Sequence, residues 1–444
     1  MSDERCGRNI DRHQAGGLAM PTGAMNGSRW RRSGLAVALF FAFKVALGAA
    51  ILIASAQWMT VVDFAIFSQL LILIAYLASV GTAGAQNGLI RQVAAADGDA
   101  ATIAREIRAA VTIWSGVAIL ALIGATTFRL PISLLLLGTG DVAYAVPWLT
   151  LFAMGSGLGQ LFCSVLTGTN RTGAALSAQA TGLVGGTAPA MILLHLGMPI
   201  SAALAFSAGQ GATTLVAAVC IRNEIVAAWR NRDPTRPEMK RLLGFSGAFL
   251  ATASIMPLTL IGLRSVYRAA FGLDALGYWL AANRISDVNT QLLGLYMVQA
   301  FLPDISSRPA AERRRLAVRT AIGAAGVMAL PMLAFLIAPS FFVRTFLSAK
   351  FLPATIFFAA YLLGDTMRAG ASTAAYTALA HGRLVLYIGI EAASAVSMIL
   401  LVTSLTWAHV FYAPPIAYVA TYAIMALAAG LVSLRDPWPR RRRA

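Results

Sequence analysis

Apolar residues in this chain come in runs long enough to cross a bilayer. A hydrocarbon core about 30 Å thick takes roughly 20 residues of helix. The sequence offers twelve such runs, over residues 34–56, 61–85, 107–128, 143–166, 174–195, 199–221, 242–263, 274–303, 316–338, 352–380, 383–405 and 412–434. The separation is narrowest between the first two, around Trp58. The eighth and tenth runs exceed the minimum, so those helices are expected to tilt or protrude. The pattern predicts an all-α, polytopic integral membrane protein with about twelve transmembrane helices.

Charge refines the picture. The chain has 35 Lys+Arg against 18 Asp+Glu, a formal net charge of +17. Alternate loops collect the basic residues. With residue 1 in the cytoplasm, 27 of them fall on the cytoplasmic side and five (Arg129, Arg264, Arg268, Arg344 and Lys350) on the other. That asymmetry predicts an even number of spans with both termini inside. Only 12% of residues are charged and 58% are hydrophobic, with a mean hydropathy of +0.71. So much apolar surface excludes an ordinary soluble nucleic-acid-binding domain, despite a pI near 10.7. The apolar run from Gly34 is too long for a signal peptide and lacks a small-residue cleavage site.

The longest polar connection, 222–241, lies between the sixth and seventh runs. It predicts a cytoplasmic tail (1–33), an N-lobe of six helices (34–221), a linker (222–241), a C-lobe of six helices (242–434) and a basic cytoplasmic tail (435–444). Both halves open with an apolar helix followed by an acidic turn, at Asp63 and at Asp274. Transporters are often built from repeated halves with the site between them. Glycines inside the fourth and fifth runs, Gly155, Gly157, Gly159, Gly182, Gly185 and Gly186, are expected to permit close helix packing.

Ionisable residues inside spans carry the functional reading, because charge in a membrane is costly. Lys44 sits near the middle of the first run, Arg284 in the eighth and Arg368 in the tenth. Asp287, Asp365 and Glu391 lie at comparable depth. Arg284–Asp287 and Asp365–Arg368 are spaced i,i+3, which puts each pair on one helix face. Two readings stay open. Each pair neutralises itself within its helix, or both faces line a water-filled cavity between the lobes. Lys44 has no acid one turn away and is too central to snorkel easily. Three cations on different helices suit an anion, particularly a phosphate or diphosphate. Asp287, Asp365 and Glu391 would orient the cations or bind a coupling ion. Arg264 and Arg268, near the outer end of the seventh run, are read either as solvated interface residues or as guides for a leaving ligand. No phosphate-binding loop, metal-ligand spacing or nucleophile elbow occurs, and three distant cysteines suggest no disulfide framework. No cofactor or metal is expected.

Several ordered motifs resemble a known family. They are Gly81-Thr-Ala-Gly84 through Asn87 to Arg91, and Leu276-Gly277-Tyr278-Trp279 followed by Arg284-Ile-Ser286-Asp287. To these add Ala300-Phe-Leu-Pro303-Asp-Ile-Ser306, and Leu362-Leu363-Gly364-Asp365 with Arg368 and Gly370, then Tyr387 and Glu391. Together they resemble the Wzx-type flippases of O-antigen and enterobacterial common antigen, in the multidrug/oligosaccharidyl-lipid/polysaccharide exporter superfamily. The resemblance covers residues 34–434 in organisation, with the specific matches in the second half. It implies two six-helix lobes around a central cavity in the bacterial inner membrane. It also implies translocation of undecaprenyl-diphosphate-linked oligosaccharides, and partners such as a polysaccharide polymerase and a chain-length regulator besides membrane lipids. On this reading Lys44, Arg284, Arg368, Arg264 and Arg268 bind substrate. A drug or cation antiporter of the same superfamily is the alternative, but it predicts an acidic cavity. A membrane-embedded polymerase or glycosyltransferase predicts long loops with catalytic motifs, and no loop here exceeds about 20 residues, so the chain is not expected to be an enzyme.

Overall fold

A computed structural model describes residues 27–82, 84–230, 235–380 and 384–435. Most of the N-terminal tail, the centre of the 222–241 linker, Arg383 and the Arg440–Arg443 tail with Trp438 lie outside the described residues. The described residues are helical almost throughout and contain no strand. The chain divides into two units, Met1–Phe43 and Lys44–Ala444. The described part of the first is the opening stretch of helix α1 (Gly27–Trp58). The second unit holds all the other described residues.

Seven helices are long and apolar enough to cross a membrane: Leu39–Trp58, Val61–Ala95, Ala100–Thr127, Ala145–Gly168, Pro199–Cys220, Glu312–Ile337 and Leu386–Trp407. They coincide with runs one, two, three, four, six, nine and eleven. The other five expected runs are helical as well. They fall in α7 (Thr172–His195), both limbs of α11 (Arg236–Tyr296), α15 (Thr355–Ala380) and α17 (Ala413–Arg435). Many large apolar side chains stand exposed, among them Leu120, Leu215, Val219, Ile337 and Leu427. On this scale such exposure fits lipid as the solvent rather than water.

Local chemistry explains the boundaries. The narrow separation near Trp58 is a two-residue turn closed by Thr60, whose hydroxyl accepts from the Asp63 amide and donates to its carboxylate. This reciprocal cap starts α2 (Val61–Gly81). Asp99 caps α4 (Ala100–Thr127) by accepting from the Ala101 and Thr102 amides. The third span therefore begins seven residues before the apolar run does. Short helices fill connections outside the apolar runs: α3 (Gln86–Ala95), α5 (Arg129–Leu137) and α10 (Arg222–Arg230).

The loop expected over 264–273 is absent. Helix α11 continues to Gly272, which at φ +86° and ψ 179° adopts a conformation essentially restricted to glycine. Both Arg264 and Arg268 are thereby inside a helix and not in a solvated loop.

Helix α2 lies between α6 (Ala145–Gly168) and α11. Its Val61, Phe64 and Ala65 share a core with Trp279, Phe351, Phe357 and Tyr361. Two further cores are built mainly from the first half, with Leu242 and Ile261 of α11 joining them, and a fourth joins α11 to α12 (Leu302–Ser307), α13 (Ala310–Ile337) and α15. The small-residue expectation is visible where α7 crosses α8 (Pro199–Gln210). A Cβ on Gly209 would collide with the Gly185 carbonyl.

Candidate functional site

The second limb of α11 is apolar on most sides but carries a polar stretch: Asn283, Arg284, Ser286, Asp287, Asn289 and Thr290. They span more than one face: Asn283 and Arg284 meet the first limb and α2, whereas Ser286 and Asn289 meet α15. The chain reversal at Gly272 brings Arg264, on the first limb, back against Asn283.

Two clusters result. In the first, Arg264 is 2% exposed and donates to Asn283 Oδ1 at 2.9 Å and to Gln69 Oε1 on α2 at 3.4 Å. Its Nε has no hydrogen-bond partner. Asn283 passes the contact on, its Nδ2 donating to Asp287 Oδ1 at 2.9 Å. Arg284 donates to the Ser68 carbonyl of α2 at 3.2 Å. Arg264 and Arg284 are near enough to feel each other's charge. Two guanidinium groups and one carboxylate thus sit together, and amides or a backbone carbonyl make the hydrogen bonds.

In the second cluster, Asp365 on α15 is fully buried. Its Oδ1 accepts from Ser286 Oγ at 2.7 Å and from the Tyr418 hydroxyl at 2.8 Å, and its Oδ2 accepts from Asn289 Nδ2 at 3.0 Å. Arg368 donates to the same Tyr418 oxygen at 3.3 Å and lies over the Tyr422 ring, 5.1 Å from its centroid. Trp279 Nε1 donates to the Tyr361 hydroxyl at 2.5 Å, and Tyr361 packs on Tyr418 with ring centroids 4.6 Å apart. Serine and asparagine from α11 therefore link α15 and α17 to the helix that holds the first cluster.

Neither i,i+3 pair closes a direct ion pair, although each acid acts on its arginine by charge. Among the described residues no ion pair within 4 Å joins Arg284 to Asp287, or Asp365 to Arg368. A tyrosine stands between the second two. Arg264 is not a solvated interface residue. Arg268 donates to the Leu134 carbonyl at 3.1 Å and packs on Gly138, at the C-terminal end of α5. Its contacts are those of a helix cap. Lys44 stands exposed on α1 with no hydrogen bond or ion pair to a described residue. Glu391 is exposed on α16 (Leu384–Trp407), within electrostatic range of Tyr376, Tyr387 and Tyr422. Arg264, Arg284, Asp287, Asp365 and Arg368 are thus brought onto one connected seam, and Lys44, Arg268 and Glu391 are not. The seam also includes Gln69, Asn283, Ser286, Asn289, Tyr418 and Tyr422, uncharged residues that a charge pattern does not mark. The signal for them in the sequence is the density of uncharged polar residues beside Arg284 and Asp287, with Asn283, Ser286 and Asn289 three residues apart. Among the described residues no group of three or more His, Cys, Asp or Glu side chains has the arrangement of a metal site.

A family model described as polysaccharide biosynthesis protein matches residues 36–309, more than half of the chain. The chain belongs to that family. The matched stretch contains the whole first cluster and ends before Asp365 and Arg368. Solved structures show that the family member has the fold of transporters of the MOP superfamily. It is similar to an inward-facing multidrug resistance MATE family transporter of that superfamily, with a TM-score of 0.68 at 15% identity over 88% of this chain and 94% of the other. It is also similar to the lipid II flippase MurJ in an inward closed conformation, with a TM-score of 0.71 at 15% identity over 90% of this chain and 87% of MurJ. An outward-facing MATE family transporter gives a TM-score of 0.53 at 15% identity over 90% and 94% of the two chains. Among curated proteins none matches the chain. These likenesses agree with the all-α, polytopic membrane architecture expected from the sequence.

Proposed function

We propose that this family member is a flippase. It moves undecaprenyl-diphosphate-linked oligosaccharide units from the cytoplasmic to the periplasmic leaflet of the bacterial inner membrane for surface polysaccharide synthesis. The lobes, 34–221 and 242–434, alternate access around the 222–241 linker, with both termini cytoplasmic. The observation that carries this reading is the first cluster. Arg264, through Asn283, and Arg284, by charge alone, share the one carboxylate of Asp287, so the cluster holds an excess positive charge with its hydrogen bonds partly arranged. A guanidinium fork matches phosphate oxygens, and a diphosphate would supply the missing negative charge. Lys44 on α1 and Arg368 would extend the contact, while Arg268 would position α5. Asp365, Asp287 and Glu391 would orient the cations or bind a coupling ion. Membrane potential would contribute about 2.3 kcal/mol per charge per 100 mV. The flipped product would pass to a polymerase and a chain-length regulator.

The test is transport by purified protein in vesicles, together with complementation of a deletion strain. Arg264→Met and Arg284→Ala should abolish translocation while insertion and abundance stay normal. Arg264→Lys should fail too, because a point charge does not replace the fork. Wild-type rates from both Arg264→Met and Arg284→Ala would refute the assignment. The buried carboxylate of Asp365 favours one competing reading, a drug or cation antiporter. Proton-driven efflux of organic cations from the same vesicles, without lipid translocation, would establish it instead.

A further inference from the structure

We propose that the face of α13 turned away from α15 is a binding site for a diphosphatidyl phospholipid of the cardiolipin class. The inference concerns a different surface from the seam above and does not depend on what the protein transports.

Helix α13 buries one face. Ala324 and Met328 lie in a core with Phe301, Ile305 and Ala369, and Leu316, Ala317 and Ala325 pack against it. The opposite face carries Arg315, Arg319, Ile322, Leu330, Leu333 and Ile337 at intervals that keep to one side of a helix, and all of them are exposed. At 1.5 Å per residue this stripe runs about 33 Å, with its cations at one end and aliphatic side chains along the rest. At the cationic end is a recess of about 660 Å³ lined by Arg314, Arg315, Val318, Arg319 and Ile322.

The arginines of the recess differ from their neighbours. Arg308 pairs with Asp304 at 3.0 Å and Glu312 at 3.2 Å, and Arg313 Nε donates to the Arg308 carbonyl at 2.7 Å. Arg314, Arg315 and Arg319 make no hydrogen bond or ion pair with a described residue. Arg315 and Arg319, spaced i,i+4, repel each other along the helix. Three cations within two turns call for an anion from outside the chain. The interleaved Val318 and Ile322, and the exposed aliphatic track beyond them, call for alkyl chains on the same molecule. A free phosphate meets only the first demand, and a zwitterionic lipid supplies no net charge. A lipid with two phosphates offers charges for three guanidinium groups and chains for the track. The order along the helix, cations then aliphatics, sets the recess at headgroup level, where basic pockets on membrane helices take such lipids.

The experiment uses full-length protein in detergent, titrated with cardiolipin, phosphatidylglycerol or phosphatidylcholine, with bound lipid counted by native mass spectrometry. Cardiolipin should bind in preference to the other two. Each basic residue near a membrane surface contributes about fivefold in affinity, so R314A/R315A/R319A should weaken cardiolipin binding on the order of a hundredfold. Arg319→Gln alone should cost about fivefold and serves if the triple variant folds poorly. Arg308→Ala, which removes an internally paired cation, should leave binding unchanged. Unchanged cardiolipin binding in both Arg319→Gln and the triple variant would overturn the proposal. So would equal binding of phosphatidylcholine, or displacement of cardiolipin by an equal concentration of undecaprenyl diphosphate or inorganic pyrophosphate.

Discussion

The hydroxyl of Tyr418 is one oxygen on which two opposite charges meet. It donates to Asp365 Oδ1 at 2.8 Å and accepts from Arg368 at 3.3 Å. Tyr418→Phe removes that oxygen and leaves the ring packed against Tyr361 and Tyr422, at centroid distances of 4.6 and 4.8 Å. The apolar contribution is therefore unchanged, and any loss is polar. A hydrogen bond to a charged group contributes about 1.5–3 kcal/mol. The longer of the two lies past the usual range of lengths and counts for less. The expected loss is about 2–4 kcal/mol, because α17 is uncoupled from a buried carboxylate that α11 and α15 continue to share. Tyr422→Phe is the reference. Its hydroxyl makes no hydrogen bond to a described residue, and its ring stays under Arg368, so about 0.5 kcal/mol or less is expected. Unfolding free energies in mixed detergent micelles compare the two. A cycle combining Tyr418→Phe with Asp365→Asn should show a coupling of about 1–2 kcal/mol. Equal losses for the two phenylalanine variants, or a coupling near zero, would refute the bridging role.

Two further predictions concern backbone and pH. Gly272→Ala places a Cβ in open space but in a conformation that only glycine adopts readily, so it should cost about 1–3 kcal/mol from backbone strain alone, whereas Gly48→Ala should cost nothing by the same unfolding assay. The Asp99 carboxyl is held below the usual carboxylate range, first by the Thr102 hydroxyl and then by the Ala101 amide. A depressed folded value means that the cap stabilises α4 fully above the unfolded value of about 3.9 and loses this as pH falls through the lower, folded one. Hydrogen exchange of the first turn of α4, corrected for intrinsic rates, should show that loss in the native protein and no such step in Asp99→Ala.

How much the sequence shows, and how much it hides, depends on the range of each interaction. Length and apolarity are local, so helices appear wherever an apolar run was read. The cap at Asp99 and the Thr60–Asp63 turn are local too, and they lie in the sequence for a reader who looks for side chains that accept backbone amides. Helix α3 is short and only partly apolar, so its sequence lacks the long apolar run that marks a span. Arg264 lies deeper than its place at the end of an apolar run suggests, because the helix does not break where apolarity ends. The chain instead spends two more helical turns and reverses at one glycine. The i,i+3 pairs misled for a different reason. Sequence spacing reveals who shares a helix face but not who stands across from it. Across from Asp365 are Ser286, Asn289 and Tyr418, which are 79, 76 and 53 residues away in the chain.

The choice of those partners bears on function. An arginine buried against a carboxylate is satisfied twice, in its hydrogen bonds and in its charge. Arg264 is held by Gln69 and Asn283, and Arg284 by a backbone carbonyl, so their hydrogen bonds are partly met while the single carboxylate of Asp287 answers two positive charges. At 4 Å and an effective dielectric of about 20, a carboxylate would contribute roughly 4 kcal/mol of attraction to either group. With one carboxylate for two guanidinium groups, the surplus positive charge is left for another anion. The cost of burying such cations falls on the folded protein at all times, and it is recovered only when a negative group enters. A cluster built solely to join α2 to α11 would gain from an acid at position 69 or 283. Gln69→Glu tests this directly. It should stabilise the protein against unfolding while lowering transport of an anionic substrate, and a variant that gained stability with transport unchanged would show that the charge of Arg264 is not used.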